Sequence, residues 1–514
     1  MEDLSGLTAE YMHAPDEMST TNVPSVRSPS WAERQRASPL ASIGAELRED
    51  ASSRLRRAIC RLEGFLKRDE CQAGRRWDPT RHLANALIAE GHRLLHVALS
   101  ESALPPCEPT LRSAYRLIAV LGNLAAWSAP ATQESHALAS FPVAAARDVV
   151  AYSRFGGEEV TAQESAYESM LGFHPQYARL LLTSSGMAAY ALIEAYLLRD
   201  VLQPGDRVVL HPNVYFETRQ QILSLPQLSC HTAPGGSRAD ILAAIVALTP
   251  RVVFVDPLSN AADFRAIDML RLLQEADEVC QQETWFVVDA TMLSGAFDPF
   301  IGSRRKQVRV LYYESGCKYL QFGMDLGAAG LVVMEATLAP RFEVLRRGNG
   351  AIGSDALALP RASRRTYLNY LRAQTACAEA VVRAATEPGG ASAPAIIVPV
   401  HPSQISHPDH AETQHYLHLG GVLVFRFANP ELNRRRPLED FIDLLMERAR
   451  AAKLALTAGV SFGFCVPRVG AAWSSYDADD AFLRLSAGID VALAASLGRL
   501  IVECAHHFVA KGSH

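Results

Sequence analysis

Four short apolar runs constrain the fold of this chain more than any other feature: Arg207-Val-Val-Leu210, Arg251-Val-Val-Phe-Val255, Trp285-Phe-Val-Val-Asp289 and the stretch 308–313. They are rich in β-branched and aromatic residues and lack the polar alternation of a strand with one wet face. A strand that is apolar on both faces has to be covered on both faces. The helix-length amphipathic segments between the runs supply that cover, so the pattern predicts a mostly parallel α/β sheet sandwiched between helices. In such sheets ligands and chemistry collect beyond the C-terminal ends of the strands. Asp289 closes the third run, and Lys318 follows the fourth by a short turn that also holds Ser315.

At 514 residues the chain is too long for one core. Residues 1–40, rich in Ser, Pro, Thr and charge, fit a disordered segment. Residues 41–145 read as a helical N-terminal extension, with helix-like stretches near 43–67, 80–99 and 110–127; Leu83, Leu87, Leu94, Leu95 and Leu99 keep the three-and-four spacing. Residues 146–385 hold the sheet-forming large domain. Residues 386–514, with Gly421-Val-Leu-Val-Phe-Arg-Phe427, a helix near 438–453 and a last strand and helix from Phe482, form a smaller α+β domain.

The formal charge of −5 and the lack of basic blocks beyond Arg434-Arg435-Arg436 argue against a nucleic-acid partner. No apolar run has membrane-spanning length, and the acidic start lacks the form of a signal peptide. Nine scattered cysteines without a C-x-x-C pair suggest neither a disulfide framework nor a metal site, so a cytoplasmic setting is expected.

The residues that carry chemistry each allow a plain reading as well. Thr183-Ser-Ser-Gly-Met-Ala-Ala189 opens a helix whose first turn, with Gly186 and Met187, offers amides to a phosphate; the plain alternative is a serine N-cap. Asp289 needs a cleft or a cation, which leaves a metal, an arginine, a protonated ring nitrogen or a simple salt bridge. Tyr215 either stacks on a flat ligand or packs in its loop. Arg484 alternates with apolar neighbours in Phe482-Leu-Arg-Leu-Ser-Ala-Gly-Ile-Asp490, which suits a bidentate grip on a carboxylate or a surface strand position. Lys318 is either a solvated loop lysine or a desolvated nucleophile.

In order along the chain, Thr183–Ala189, Tyr215, Val288-Asp289-Ala-Thr291, Ser315-Gly-Cys-Lys318-Tyr319 and Arg484-Leu-Ser-Ala-Gly resemble the Cys/Met-metabolism family of pyridoxal-phosphate enzymes, which includes cystathionine γ-synthase, cystathionine γ-lyase and methionine γ-lyase. Tyr152-Ser-Arg-Phe-Gly, Ser461-Phe-Gly463 and His407-Pro-Asp-His410 leading to Gly420-Gly421 extend the likeness over about 150–505. The resemblance implies a fold-type I pyridoxal-phosphate transferase with a smaller C-terminal domain, acting as a homodimer or homotetramer with shared active sites. It implies that Lys318 holds pyridoxal 5'-phosphate as a Schiff base and shuttles protons. Asp289, with Thr291 beside it, would keep the ring nitrogen protonated, and Tyr215 would stack on the ring and share in proton transfer. Gly186, Met187 and Ser315 would hold the phosphate, joined by Tyr152 and Arg154 from a neighbouring subunit. Arg484 would clamp the substrate carboxylate, with Ser461 and Asn260 nearby.

The reaction so implied is γ-substitution on an amino acid, forming a C–S or C–C bond through quinonoid and vinylglycine-type intermediates. Its substrates include S-adenosylmethionine or an O-activated homoserine, and a second small-molecule nucleophile. The alternatives are γ- or β-elimination to a 2-oxo acid and ammonia, and a catalytically silent binding protein on the same fold. Departures from the family pattern are Phe216-Glu217 for two glycines, Ala290 for Asn, Cys317 for Thr, and Gln321-Phe322-Gly323-Met324 for Gly-Gly-His-Ser. Gly157-Glu158-Glu159 likewise replaces Asn-Pro-Thr. They predict a reshaped pocket and an unusual substrate, as in specialised metabolism.

Overall fold

The computed structural model describes residues 40–72, 78–100, 109–127, 158–300, 305–352, 354–387, 395–473 and 481–512. Tyr152 and Arg154 lie outside the described residues, as do residues 1–39 of the segment 1–40 read as disordered; Leu40 opens a helix instead.

Three helices come first: α1 (Leu40–Gln72), α2 (Asp78–Ser100) and α3 (Pro109–Trp127). The large unit then follows as α4 (Glu158–Leu171), β1 (Ala178–Thr183), α5 (Gly186–Tyr196), β2 (Arg207–Leu210), α6 (Phe216–Leu223), β3 (Ser229–Thr232), α7 (Arg238–Leu248), β4 (Val252–Val255), α8 (Met269–Val279), β5 (Thr284–Asp289), β6 (Val308–Ser315), β7 (Gly330–Glu335), α9 (Ala339–Arg346) and α10 (Arg364–Thr386). Its seven strands form one sheet in the order β1-β7-β6-β5-β4-β2-β3. β7 runs antiparallel to both neighbours and the other pairings are parallel.

The apolar runs behave as two-faced strands should. Val253, Val255, Phe286, Val288, Val310 and Tyr312 join a core shared with α4, α7 and α8. Their neighbours Val252, Phe254, Trp285, Val287, Leu311 and Tyr313 join a second core under α5 and α9. Each such side chain buried contributes roughly 1.5–3 kcal/mol. The helices start where capping residues allow: Ser185 accepts from the Ala188 amide at 3.0 Å, and Ser237 forms a reciprocal capping box with Asp240.

The C-terminal unit is β8 (Ile397–Val400), β9 (Val422–Phe427), α11 (Arg435–Ala451), β10 (Thr457–Ala458), β11 (Arg468–Trp473), β12 (Ala481–Ser486) and α12 (Val491–Gly512). Its sheet has the order β10-β11-β12-β9-β8, and α10, α11 and α12 bury its apolar face.

The N-terminal helices are built into the large unit. Ile43, Leu47, Leu55, Ile59 and Leu121 belong to the same core as the sheet. Arg54, only 4% exposed, pairs with Asp50 and donates to the Leu357 and Leu359 carbonyls, and the Arg361 amide donates to Asp50 at 3.0 Å. Arg116 reaches the carbonyl of Asp325, in the loop that follows Lys318, at 2.8 Å.

Candidate active site

The side chains converge beyond the C-terminal ends of β4, β5 and β6, as the sheet type requires. Asp289 is the last residue of β5, and alternation turns it toward the α5 side of the sheet, with Tyr313 paired to it in register. The Thr291 amide donates to Asp289 at 3.0 Å, and the Thr291 and Tyr313 hydroxyls add hydrogen bonds. Thr291 also receives the Ser315 amide through its hydroxyl at 2.9 Å, which ties the ends of β5 and β6 together.

The first turn of α5 sits directly against that junction. A Cβ on Gly186 would come within 2.8 Å of the Ser315 Cβ, so only glycine permits this approach. As first-turn amides, Gly186 and Met187 have no carbonyl one turn back to bond. Together with the helix dipole and the Ser315 hydroxyl they make a cradle for an anion.

Lys318 follows β6. Its Nζ lies 2.7 Å from the Ser461 hydroxyl and 5.2 Å from the Phe462 ring centre. Burial and, second, the Arg484 charge hold its amine below the ordinary lysine range. Gly463 makes the close packing possible: its φ is +85°, and a Cβ there would meet the Lys318 carbonyl carbon at 2.7 Å.

Arg484 projects from β12, donates to Asn260 Oδ1 at 2.5 Å and lies 5.8 Å from the same Phe462 ring. Burial pushes its guanidinium down to about 10. Tyr215, at the N-cap of α6, has its phenol pushed up to about 12 by burial, then by Glu217 and Asp289.

The structure therefore gathers Gly186, Met187, Tyr215, Asn260, Asp289, Thr291, Ser315, Lys318, Ser461 and Arg484 around one cleft. Ser461 meets Lys318 directly, a contact in addition to its expected place near Arg484. One member was missed by sequence reasoning. Asp256, just past β4, accepts the Tyr215 amide at 3.0 Å and fixes that turn. Burial and the neighbouring Asp289 charge raise its carboxyl well above the usual range. Asp256 is raised the more strongly of the two, because Asp289 has hydroxyl donors and Lys318 to favour its charge. The signal was available: Val252-Val-Phe-Val-Asp256 has the same strand-then-aspartate form as β5.

Two expectations about the pocket need correction. Gln321 and Phe322 do not reshape it. Gln321 is 1% exposed and clasps its own loop, donating to the Gly316 and Gly327 carbonyls at 2.9 and 2.6 Å and accepting the Leu326 and Gly327 amides. Phe322 packs on Tyr367 and Tyr370 in the core. Cys317 faces the Gly327 and Ala329 carbonyls.

A lysine amine, a carboxylate at a strand end, a half-buried tyrosine and an anion cradle together fit a phosphorylated aromatic aldehyde and define the site of a pyridoxal-type protein. Residues 129–449 match the family model described as Cys/Met metabolism PLP-dependent enzyme. The bifunctional enzyme flvA of Aspergillus flavus is 31% identical over 350 residues, covering 66% of this chain and 41% of its own. The chain thus spans about two fifths of the length of that curated relative. In fold it is similar to the cystathionine γ-synthase of Xanthomonas oryzae pv. oryzae (TM-score 0.53, 21% identity, 70% of this chain and 88% of that one). It is also similar to CalE6, a methionine γ-lyase from Micromonospora echinospora (TM-score 0.52, 20% identity, 68% and 88%). This chain belongs to the Cys/Met-metabolism family of pyridoxal-phosphate-dependent enzymes, and pyridoxal 5'-phosphate is its cofactor.

Proposed function

We propose that the chain catalyses γ-substitution on an α-amino acid, with an S-adenosylmethionine-type or O-activated homoserine-type donor and a second small-molecule nucleophile. One observation carries the reading: the Lys318 amine and the Arg484 guanidinium flank the same Phe462 ring, at 5.2 and 5.8 Å. That is the arrangement needed to receive an amino group and a carboxylate borne on one carbon.

Bound in the cradle, pyridoxal phosphate supplies the electron sink for negative charge at the substrate Cα. Gly186, Met187 and Ser315 would hold its phosphate, and Asp289 with Thr291 would face its ring nitrogen. Arg484, fixed by Asn260, orients the substrate carboxylate so that the Cα proton points to Lys318. Lys318, already biased toward the neutral amine, takes that proton and passes protons between Cα and its surroundings, with Ser461 holding the amine in line. Tyr215 keeps its phenolic proton at neutral pH and is placed as a general acid for a leaving group at Cγ. Phe462 and the Phe216 beside Tyr215 keep the cleft apolar enough to favour a nucleophile over water.

The unusual-substrate reading now rests on Phe216 and Glu217, which adjoin Tyr215, and not on Gln321 or Phe322. A shared phosphate site completed by Tyr152 and Arg154 of a neighbouring copy calls for a homodimer or homotetramer. The free cysteines among the described residues fit a reducing, cytoplasmic setting. Deuterium exchange of γ-substituted amino acids in D₂O tests the chemistry. Exchange at both Cα and Cβ is expected; exchange confined to Cα would leave only transamination, racemisation or β-chemistry.

A further inference from the structure

Near the cleft, on the sheet face that carries Arg484, lies a cation that the proposed reaction does not use. Arg468 opens β11, and in the antiparallel ladder it lies opposite Ser486, while Gly470 lies opposite Arg484. Paired residues share a face, so Arg468 and Arg484 project from the same side of the small sheet as diagonal neighbours, roughly 7–8 Å apart in such ladders. Gly470 between them adds no side chain, and a Cβ there would strike the Gly459 carbonyl at 2.9 Å.

Two alternating aromatics carry the two guanidinium groups. Arg484 lies 5.8 Å from the Phe462 ring, and the Arg468 guanidinium carbon lies over the Phe464 ring, 3.8 Å from its centre. The segment Ser461-Phe462-Gly463-Phe464 thus positions Lys318, Arg484 and Arg468 at once. The charge of Arg468 reaches Lys318 and adds a small part to the lowering of its amine. Among the described residues Arg468 has no carboxylate partner, and the buried hydroxyl of Ser486 opposite it is also without a hydrogen bond. A stacked, preoriented guanidinium beside a spare hydroxyl is a site for a planar anion.

We infer that Arg468, with Ser486, forms a second carboxylate subsite beside the Arg484 clamp, so that the reaction brings two carboxylates into the cleft. The second belongs either to the far end of the amino acid or to the nucleophile. This rests on Arg484 as the α-carboxylate clamp, and the two claims can be tested apart.

The cofactor-loaded enzyme is titrated with L-norleucine and L-2-aminoadipate, which differ only in the distal carboxylate, and dissociation constants are read from the cofactor absorbance. A second arm, in saturating L-norvaline, compares acetoacetate with its methyl ester by calorimetry. Discrimination in the first arm places the second carboxylate on the amino acid, and in the second arm on the nucleophile. In one arm the acid should bind at least about tenfold tighter than its neutral partner. Arg468→Met should bring that ratio to within about twofold of unity, and Arg468→Lys should restore part of it. No discrimination in either arm, or a ratio that survives Arg468→Met, overturns the assignment. Norleucine binding that survives Arg484→Met would instead overturn the clamp reading, leaving the Arg468 ratio to be judged by itself.

Discussion

Asp289→Asn separates what the cleft needs for its ligand from what it needs to fold. Without ligand, Asp289 and Asp256 crowd one pocket, burial raises both carboxyls, and the Asp289 charge further raises Asp256. An acid whose folded value is raised holds its proton more tightly folded than unfolded. Its contribution to stability is therefore lost as pH climbs from the unfolded carboxylate value through the folded one, and stays unfavourable at neutral pH. Asparagine keeps the shape and an acceptor for the Thr291 amide but carries no charge. The cofactor-free variant should thus gain roughly 1–3 kcal/mol at neutral pH, the cost of a poorly compensated buried polar group, and its stability should depend less on pH between acid and neutral. Cofactor binding moves the other way. Removing one partner of a buried ion pair costs roughly 3–5 kcal/mol, which is about two to nearly four orders of magnitude in affinity. Thermal unfolding of the cofactor-free proteins across pH and absorbance titration with pyridoxal phosphate give both quantities. A variant that is no more stable, yet binds the cofactor as tightly, would refute the placement of Asp289 as the charge facing the ring.

Other perturbations test the supports of the site. Gln321→Ala leaves the Gly316 and Gly327 carbonyls and the Leu326 amide without their buried partner, and should cost roughly 2–4 kcal/mol in thermal or denaturant unfolding. Arg54→Leu takes the counter-ion from Asp50 and the donor from the buried Leu357 carbonyl, costs roughly 3–5 kcal/mol, and should let limited proteolysis release the N-terminal helices before the sheet unfolds. Lys318 should react with pyridoxal phosphate at a pH below that of an ordinary lysine, because burial and then Arg484 favour the neutral amine. Arg484→Met removes the second cause and should move that profile upward, as read by borohydride trapping and mass spectrometry of the Lys318 peptide.

Much of this site was legible because strand ends announce themselves. A run of apolar residues that stops at Asp289, or at Ser315 and Lys318, locates the chemistry without any knowledge of the packing. Gly186 was legible for the same reason, as a small residue at a helix start. What sequence could not give was the partner of each residue across the chain. The hydrogen bond of Ser461 to Lys318 is one such pairing, made because the loop that carries Phe462 reaches back to the end of β6. Asp256 is hard to read from sequence although its strand has the form of β5, since a carboxylate that bonds the Tyr215 amide offers no spacing signal within its own segment. The docking of α1 and α3 was invisible for a like reason: Arg54 and Arg116 find backbone carbonyls at Leu357, Leu359 and Asp325, and carbonyls are the same in every residue.

The departures from the family pattern divide once their contacts are known. Phe322 and Asp325 take left-handed backbone with φ of +50° and +51°, costly conformations for such residues. The Gln321 side chain, the Tyr367 and Tyr370 rings, and the Arg116 bond to Asp325 together fix the turn they make. Gln321, Phe322 and the N-terminal helices are therefore one construction, a loop after Lys318 held by its own glutamine and by a helical module packed against it. Selection for a different substrate need not have acted on those positions. It would act where side chains meet the cleft: on Phe216 and Glu217 at one wall, and on Phe462, Phe464 and Arg468 at the other. A change of specificity should follow substitutions in those two segments, while substitutions at 321 and 322 should lower stability and turnover for all substrates alike.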